Sequence, residues 1–176
     1  EGIMILDKSA KVGISGADFF EISSDNIFDI GLTPNRSDAM SHIGVARDLK
    51  AVLNHNGAKL SMCTPSIANF KVDNNFSKIH VEILDNSFCP RYSAVCISDL
   101  KVEESPKWLR DSLLSIGVNP INNIVDITNY VLHETGQPLH AFDTEKIIGN
   151  KVIVKHAIKD ELFRTLDNVE RKLDSS

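Results

Sequence analysis

Residues 119–143 read NPINNIVDITNYVLHETGQPLHAFD, and the class of the fold turns on them. Between Asn122 and Thr135 apolar side chains recur at helical spacing, so Ile124, Ile127 or Thr128, and Val131 are expected on one buried face. Gly136 stops this helix, and Pro138 stiffens the loop behind it. The helix is crowded with β-branched residues, which lose side-chain freedom against the preceding turn, so packing rather than propensity must hold it. Strands are expected on both sides. Residues 79–83 (IHVEI) alternate with period two, as a half-buried strand does, and residues 151–155 (KVIVK) return as another. Helices set between strands predict a mixed α/β, or α+β, unit with helices packed on a mixed sheet.

Outward from this centre the punctuation is clear. Ser105 and Pro106 open a helix, serine as cap and proline in the first turn where no amide bond is lost; Leu109, Leu113 and Ile116 face inward and Gly117 ends it. Residues 92–97 are a β-rich run after Cys89 and Pro90. Residues 162–166 and 169–173 read as paired strands around Asp167 and Asn168. The sheet edge they leave open points to a truncated chain. Upstream, residues 58–76 mix Pro65, Ser and Asn with short apolar pieces, and read as a linker. Before the linker, residues 3–6 and 27–32 are short strands. The run TPNRSD at 33–38 then offers Ser37 or Asp38 as cap for a helix over residues 39–54. Val45, Leu49, Val52 and Leu53 would face inward, with Arg47, Asp48 and Lys50 outside and Gly57 beyond the end.

Composition narrows the possible functions. The 176 residues carry 19 Lys+Arg against 24 Asp+Glu, with 42% apolar and 24% charged residues. That is a globular composition, and a compact chain of this mass buries about 70% of its extended surface. No apolar run approaches the ~20 residues of a membrane helix, and no charged leader with an apolar stretch opens the chain. Charge is −1 over residues 1–72 and −4 over residues 73–176, so neither half is a basic arm that coats nucleic acid without regard to sequence. Cys63, Cys89 and Cys96 are an odd number with no C-x-x-C spacing, which fits free thiols in a reducing cytoplasm better than disulfides or zinc. His133 and His140 straddle Gly136 and Pro138, so one helix face cannot present both to a metal. No phosphate loop, nucleophile elbow or paired carboxylates suggest an independent small-molecule enzyme.

Within residues 119–143, four Asn, Asp126 and Thr128 lie among apolar residues. Buried amides need partners, each unmet one costing roughly 1–3 kcal/mol. One reading is a structural network that fixes the helix start. The other is a cleft wall that binds something polar through Asn123, Asn129, Tyr130 and, on the stiff loop, Pro138 and His140. Arg36 could touch RNA phosphate, although a helix cap with a surface arginine also accounts for its motif. Arg91 in CPRY could line a pocket, but strand entry explains it as well, and Glu103, Glu104, Asp160 and Glu161 read as solvated faces.

The runs PINNIVDITNYV and GQPLHAFD, with LTPNRSDAMSHIGVARD upstream, closely resemble the family of bacterial phenylalanyl-tRNA synthetase β subunits. CPRY at 89–92, Trp108-Leu109 and TLDNVER at 165–171 fall in the same order, so the resemblance spans essentially the whole chain. It implies an internal fragment of a longer subunit. Residues 1–57 would be the end of a tRNA-binding-type module and a small α/β domain, 58–76 a linker, and 77–176 the truncated N-terminal part of an editing domain that hydrolyses tyrosine wrongly attached to tRNA(Phe). The histidine of the QPLHAFD loop, His140, would line the editing pocket, with Asn129 carried over beside it. The resemblance further implies a cytoplasmic enzyme whose partners are the α subunit and tRNA(Phe), with no membrane. ATP and magnesium would act on the α subunit and no cofactor on this segment, which alone is expected to be inactive. A non-catalytic scaffold that positions tRNA and docks the α subunit is the alternative.

Overall fold

A computed structural model of the chain describes residues 2–22, 24–76, 79–165 and 167–174. Its elements run α1 (Gly16–Phe19), α2 (His42–His55), β1 (His80–Ile83), α3 (Lys107–Ser115), α4 (Asn123–Thr135), β2 (Lys151–Val154), β3 (Leu162–Arg164) and β4 (Glu170–Lys172). Single 3-10 turns lie at Ser37–Ala39, Thr144–Lys146 and Ile148–Asn150. The fold is mixed α/β.

β1 and β2 pair in parallel, from His80 opposite Lys151 to Ile83 opposite Val154. Parallel strands cannot be joined by a tight turn, and here the crossover carries α3 and α4. β3 and β4 pair antiparallel, Leu162 with Lys172, through a turn in which Asn168 takes φ 61. Leu166, expected in that hairpin, lies outside the described residues.

The core sits where α3 meets α4 and α4 meets α2. Leu109 and Leu113, one turn apart on α3, are each 1% exposed, and Ala39 is buried just ahead of α2. Ile116, the third member of the expected stripe, is only half-buried because α3 has ended by then. On α4 the buried residue is Asp126, while Ile127 is exposed and Ile124, Thr128 and Val131 are half-buried. Hydrophobic periodicity misjudged the face because a bonded carboxylate, rather than an alkyl group, faces the segment ahead of α3. α2 departs similarly. Ser41, not Ser37 or Asp38, caps it by accepting from the Gly44 N–H at 3.0 Å, and Leu49 and Val52 are exposed.

Among the described residues no strand forms at 3–6, 27–32 or 92–97. Alternation fits a segment to a sheet, but a strand also needs a neighbour for its amides and carbonyls. The backbones of these three find no ladder partner. Burial is correspondingly local. The chain exposes 15448 Å², where a compact fold of its mass exposes about 8,500 Å², so the expected burial is not reached.

One close approach fixes the start of α2. A Cβ on Gly44 would lie 2.5 Å from the Asp38 carbonyl oxygen and 2.6 Å from Ala39 Cα, both backbone atoms that cannot swing aside. Gly44→Ala is therefore expected to destabilise the start of α2 by about 2 kcal/mol, seen as faster amide exchange there. Unchanged exchange would show that the approach is slack.

Candidate functional site

The 119–143 stretch is fastened at its start by a polar network. Asn122 caps α4, its Oδ1 accepting from the N–H groups of Ile124 at 3.1 Å and Val125 at 3.0 Å. Asn123 reaches sideways: its Nδ2 donates to the Lys101 carbonyl at 2.9 Å, and its Oδ1 accepts from the Glu103 N–H at 3.3 Å. Its own N–H donates to the Glu103 carbonyl at 2.9 Å. Asp126, with no exposed surface, accepts from Ser105 Oγ at 2.5 Å and from the Ile121 N–H at 2.8 Å. Ser105 thus serves Asp126 rather than capping α3, whose N-cap is Pro106. These bonds hold the segment ahead of α3 against the first turn of α4, the outcome that buried polar groups require.

The remaining residues expected in the site lie further along. Asn129 is half-buried, and its side-chain amide has no bonded partner among the described residues. Tyr130 sets its ring edge-on to Trp108, centroids 5.6 Å apart. Gly136 closes α4 at φ 80, its N–H donating to the Leu132 carbonyl at 2.7 Å, and the Gln137 N–H donates to Thr135 Oγ1 at 3.2 Å. Pro138 and His140 are exposed on the loop that follows, the His140 ring centroid 6.3 Å from that of Phe142. Among the described residues no carboxylate or other polar group bonds the His140 imidazole. The structure therefore places Asn129 and Tyr130 on the second half of α4 and Pro138 and His140 on the loop leaving it. Asn123 lies at the start of the helix, about 9 Å from Asn129 and about 18 Å from Thr135 along an axis that rises 1.5 Å per residue.

Arg36 is already engaged. Its Nε donates to Asp38 Oδ1 at 2.9 Å, and its Nη2 donates to Asp38 Oδ2 at 3.1 Å and to Asp48 Oδ2 at 2.6 Å. Those bonds hold the Asp38 carboxyl below the usual carboxylate range and raise the guanidinium further above its own. Arg47 adds a bond from Nη2 to the Asp38 carbonyl at 2.9 Å. The helix that this motif starts then meets the end of α4. His42 Nδ1 lies 2.9 Å from the His133 carbonyl oxygen, and a Cβ on Gly136 would lie 3.5 Å from Ser41 Cβ. Sequence reasoning passed over Ser41 and His42, because Ser37 and Asp38 offered an earlier and equally good cap.

A small cavity of about 80 Å³ opens at the carboxyl ends of β1 and β2, lined by Asp85, Phe88, Cys89, Val154, Lys155 and His156. None of the expected site residues lines it. Its charged groups are paired: His156 with Asp85 at 3.5 Å, and Lys155 with Glu161 at 3.0 Å. The expected solvated acids are ion-paired too, Glu103 with Lys101, Glu104 with Arg110 and Asp160 with Lys172. Arg91 donates to Ser93 Oγ at 3.2 Å. Cys63, Cys89 and Cys96 are free thiols. Among the described residues no three His, Cys, Asp or Glu side chains gather to hold a metal ion, and no helix is long and apolar enough to cross a membrane.

A family model described as the B3/4 domain matches residues 88–176. Over 172 residues the chain is 49% identical to the phenylalanine–tRNA ligase β subunit of Bacteroides thetaiotaomicron, covering 98% of this chain and 21% of that protein. The corresponding subunit of Porphyromonas gingivalis is 49% identical over 173 residues, 98% of this chain and 21% of the relative. That of Geobacter metallireducens is 42% identical over 176 residues, 100% of this chain and 21% of the relative. The chain thus spans about one fifth of the length of the curated relatives it matches.

Proposed function

The chain belongs to the B3/4 domain family, and from that premise we propose that it is part of the β subunit of a phenylalanine–tRNA ligase, contributing to a site that hydrolyses tyrosine wrongly esterified to tRNA(Phe). Identity of 41–49% sustained over nearly the whole chain carries this reading. On the same reading the partners are an α subunit and tRNA(Phe), the compartment is the cytoplasm, and ATP and magnesium serve aminoacylation on the α subunit.

The chemistry asked of the segment is modest. Tyrosine is phenylalanine plus one hydroxyl, and an apolar pocket rejects an added hydroxyl by only about 10²-fold. A second site that recognises the hydroxyl can supply the rest. In the hydrolysis a water oxygen attacks the ester carbonyl, and charge develops on the carbonyl oxygen. The bond to the ribose oxygen then breaks, and that oxygen takes up a proton. Held water and donors aimed at the developing oxyanion lower this barrier. The exposed His140 imidazole and the unbonded Asn129 amide are the groups free to take those roles. With no carboxylate bonded to it, His140 is suited to orient the water or the terminal ribose rather than to act as general base. An RNA contact by Arg36 would have to compete with Asp38 and Asp48 for the guanidinium.

One observation favours the scaffold reading, namely that Asn122, Asn123 and Asp126 are all engaged in structural bonds. The two readings part on a single assay. The full-length subunit, assembled with its partner, is given Tyr-tRNA(Phe). Release of free tyrosine is expected; binding of the tRNA with its ester left intact would favour the scaffold.

A further inference from the structure

We infer that His42 is a positioning residue, a clamp across 91 positions of sequence that fixes the end of α4 and with it the loop of residues 136–142. The consequence for hydrolysis rests on the proposed role of His140; the clamp itself does not. The last carbonyls of a helix have no partner within it, and the His133 carbonyl is one of these in α4. It is met by His42 Nδ1 at 2.9 Å. A carbonyl can only accept, so Nδ1 must carry the proton of this bond. His42 is the first residue of α2, directly after the capping Ser41, so the donor is mounted on a fixed helix start. Met40 and Ser41 also lie close to Gly136. The place of a Cβ on Gly136 lies 3.5 Å from Ser41 Cβ, 3.6 Å from Ser41 Oγ and 3.7 Å from the Met40 carbonyl oxygen, and Gly136 holds φ 80 there. The start of α2 is therefore bonded to the last turn of α4, and the residues just ahead of it leave room for no more than a methyl group beside Gly136, where the loop departs. His140 follows four residues later. The two long motifs of the chain, 33–48 and 119–143, meet here.

The test uses the full-length subunit in its native assembly. His42→Phe keeps a ring without the donor, and His42→Asn places an amide N–H where Nδ1 stood. Exchange of the Gly136 and Gln137 amides, which donate to the Leu132 carbonyl and Thr135 Oγ1, should rise about tenfold in His42→Phe, remain unchanged over residues 123–128, and return to near the parent value in His42→Asn. Hydrolysis of Tyr-tRNA(Phe) should lose about tenfold in kcat with KM within twofold in His42→Phe, recover in His42→Asn, and leave phenylalanine charging intact. Unchanged exchange of the Gly136 and Gln137 amides in His42→Phe overturns the clamp, whatever hydrolysis does. Normal hydrolysis in His42→Phe, when His140→Ala has lost it, overturns the positioning of His140 by the clamp. Faster exchange with normal hydrolysis in both variants upholds the clamp and removes His140 from the site.

Discussion

Asp126→Ala should destabilise the α3–α4 unit by about 3 kcal/mol or more, a larger effect than that of any single alkyl truncation on α4. The carboxylate is wholly buried and answers two donors, Ser105 Oγ and the Ile121 N–H. Alanine leaves both in place with nothing to accept from them, and Ser105 is itself only 4% exposed, so water cannot easily substitute. An abandoned buried donor costs about 1–3 kcal/mol, in full for Ser105 Oγ and less for the part-buried Ile121 N–H. The first turn of a helix also favours negative charge, which adds a few tenths. Asp126→Asn separates shape from bonding. Its amide oxygen can still accept from Ile121 and its NH2 can donate to Ser105, so a cost near 1 kcal/mol is expected. A larger multi-part protein has no single unfolding energy, so the measurement is amide exchange of α3 and α4, which should quicken by about a hundredfold in the alanine variant. Ser105→Ala combined with Asp126→Ala should cost less than the two singles together, since both remove one bond. If alanine and asparagine behave alike, the network contributes nothing and the segment ahead of α3 is held by packing alone.

What could be read from the sequence was local. The starts and stops of α3 and α4, the strands at 79–83 and 151–155, and the hairpin around Asn168 follow from spacing, Gly and Pro within a few residues, and they stand within a residue or two of expectation. The errors share a cause of another kind. Residues 3–6, 27–32 and 92–97 have strand patterns, but forming a strand depends on a neighbour that pattern cannot supply. Asp126 could be read as a member of a structural network, but its partner Ser105, 21 positions earlier, could not be named from the sequence. Asn123 belongs to the same network, and no reading of residue type separates it from Asn129, whose side chain has no bonded partner among the described residues. Helix geometry does separate them: one is fixed at the start of α4 and the other lies in its second half. The His42 contact was out of reach for the same reason, since a bond across 91 positions leaves no mark in local periodicity.

On the proposed hydrolytic role, His140→Ala in the full-length subunit with its partner should slow the release of tyrosine from Tyr-tRNA(Phe) by about 10²-fold while phenylalanine charging stays within twofold. The size follows from the role. A group that orders an attacking water or the terminal ribose removes the disorder of that approach, and a displacement of 1 Å in such a geometry can cost 10²-fold. The selectivity follows from place, because His140 stands exposed on a loop beyond Gly136, away from the buried Leu109, Leu113 and Asp126 that hold the unit together. Its removal therefore has no large structural cost to confound the rate. His140→Asn distinguishes the two ways an imidazole could serve. Asparagine can still orient a water but cannot take its proton at neutral pH, so positioning predicts that Asn retains most of the activity Ala loses. General-base catalysis predicts that Asn falls as far as Ala and that added imidazole restores both. The absence of any carboxylate bonded to the ring favours the first result. Full hydrolysis in the alanine variant would take His140 out of the site and leave Asn129 and Tyr130 as the expected residues from which to rebuild it.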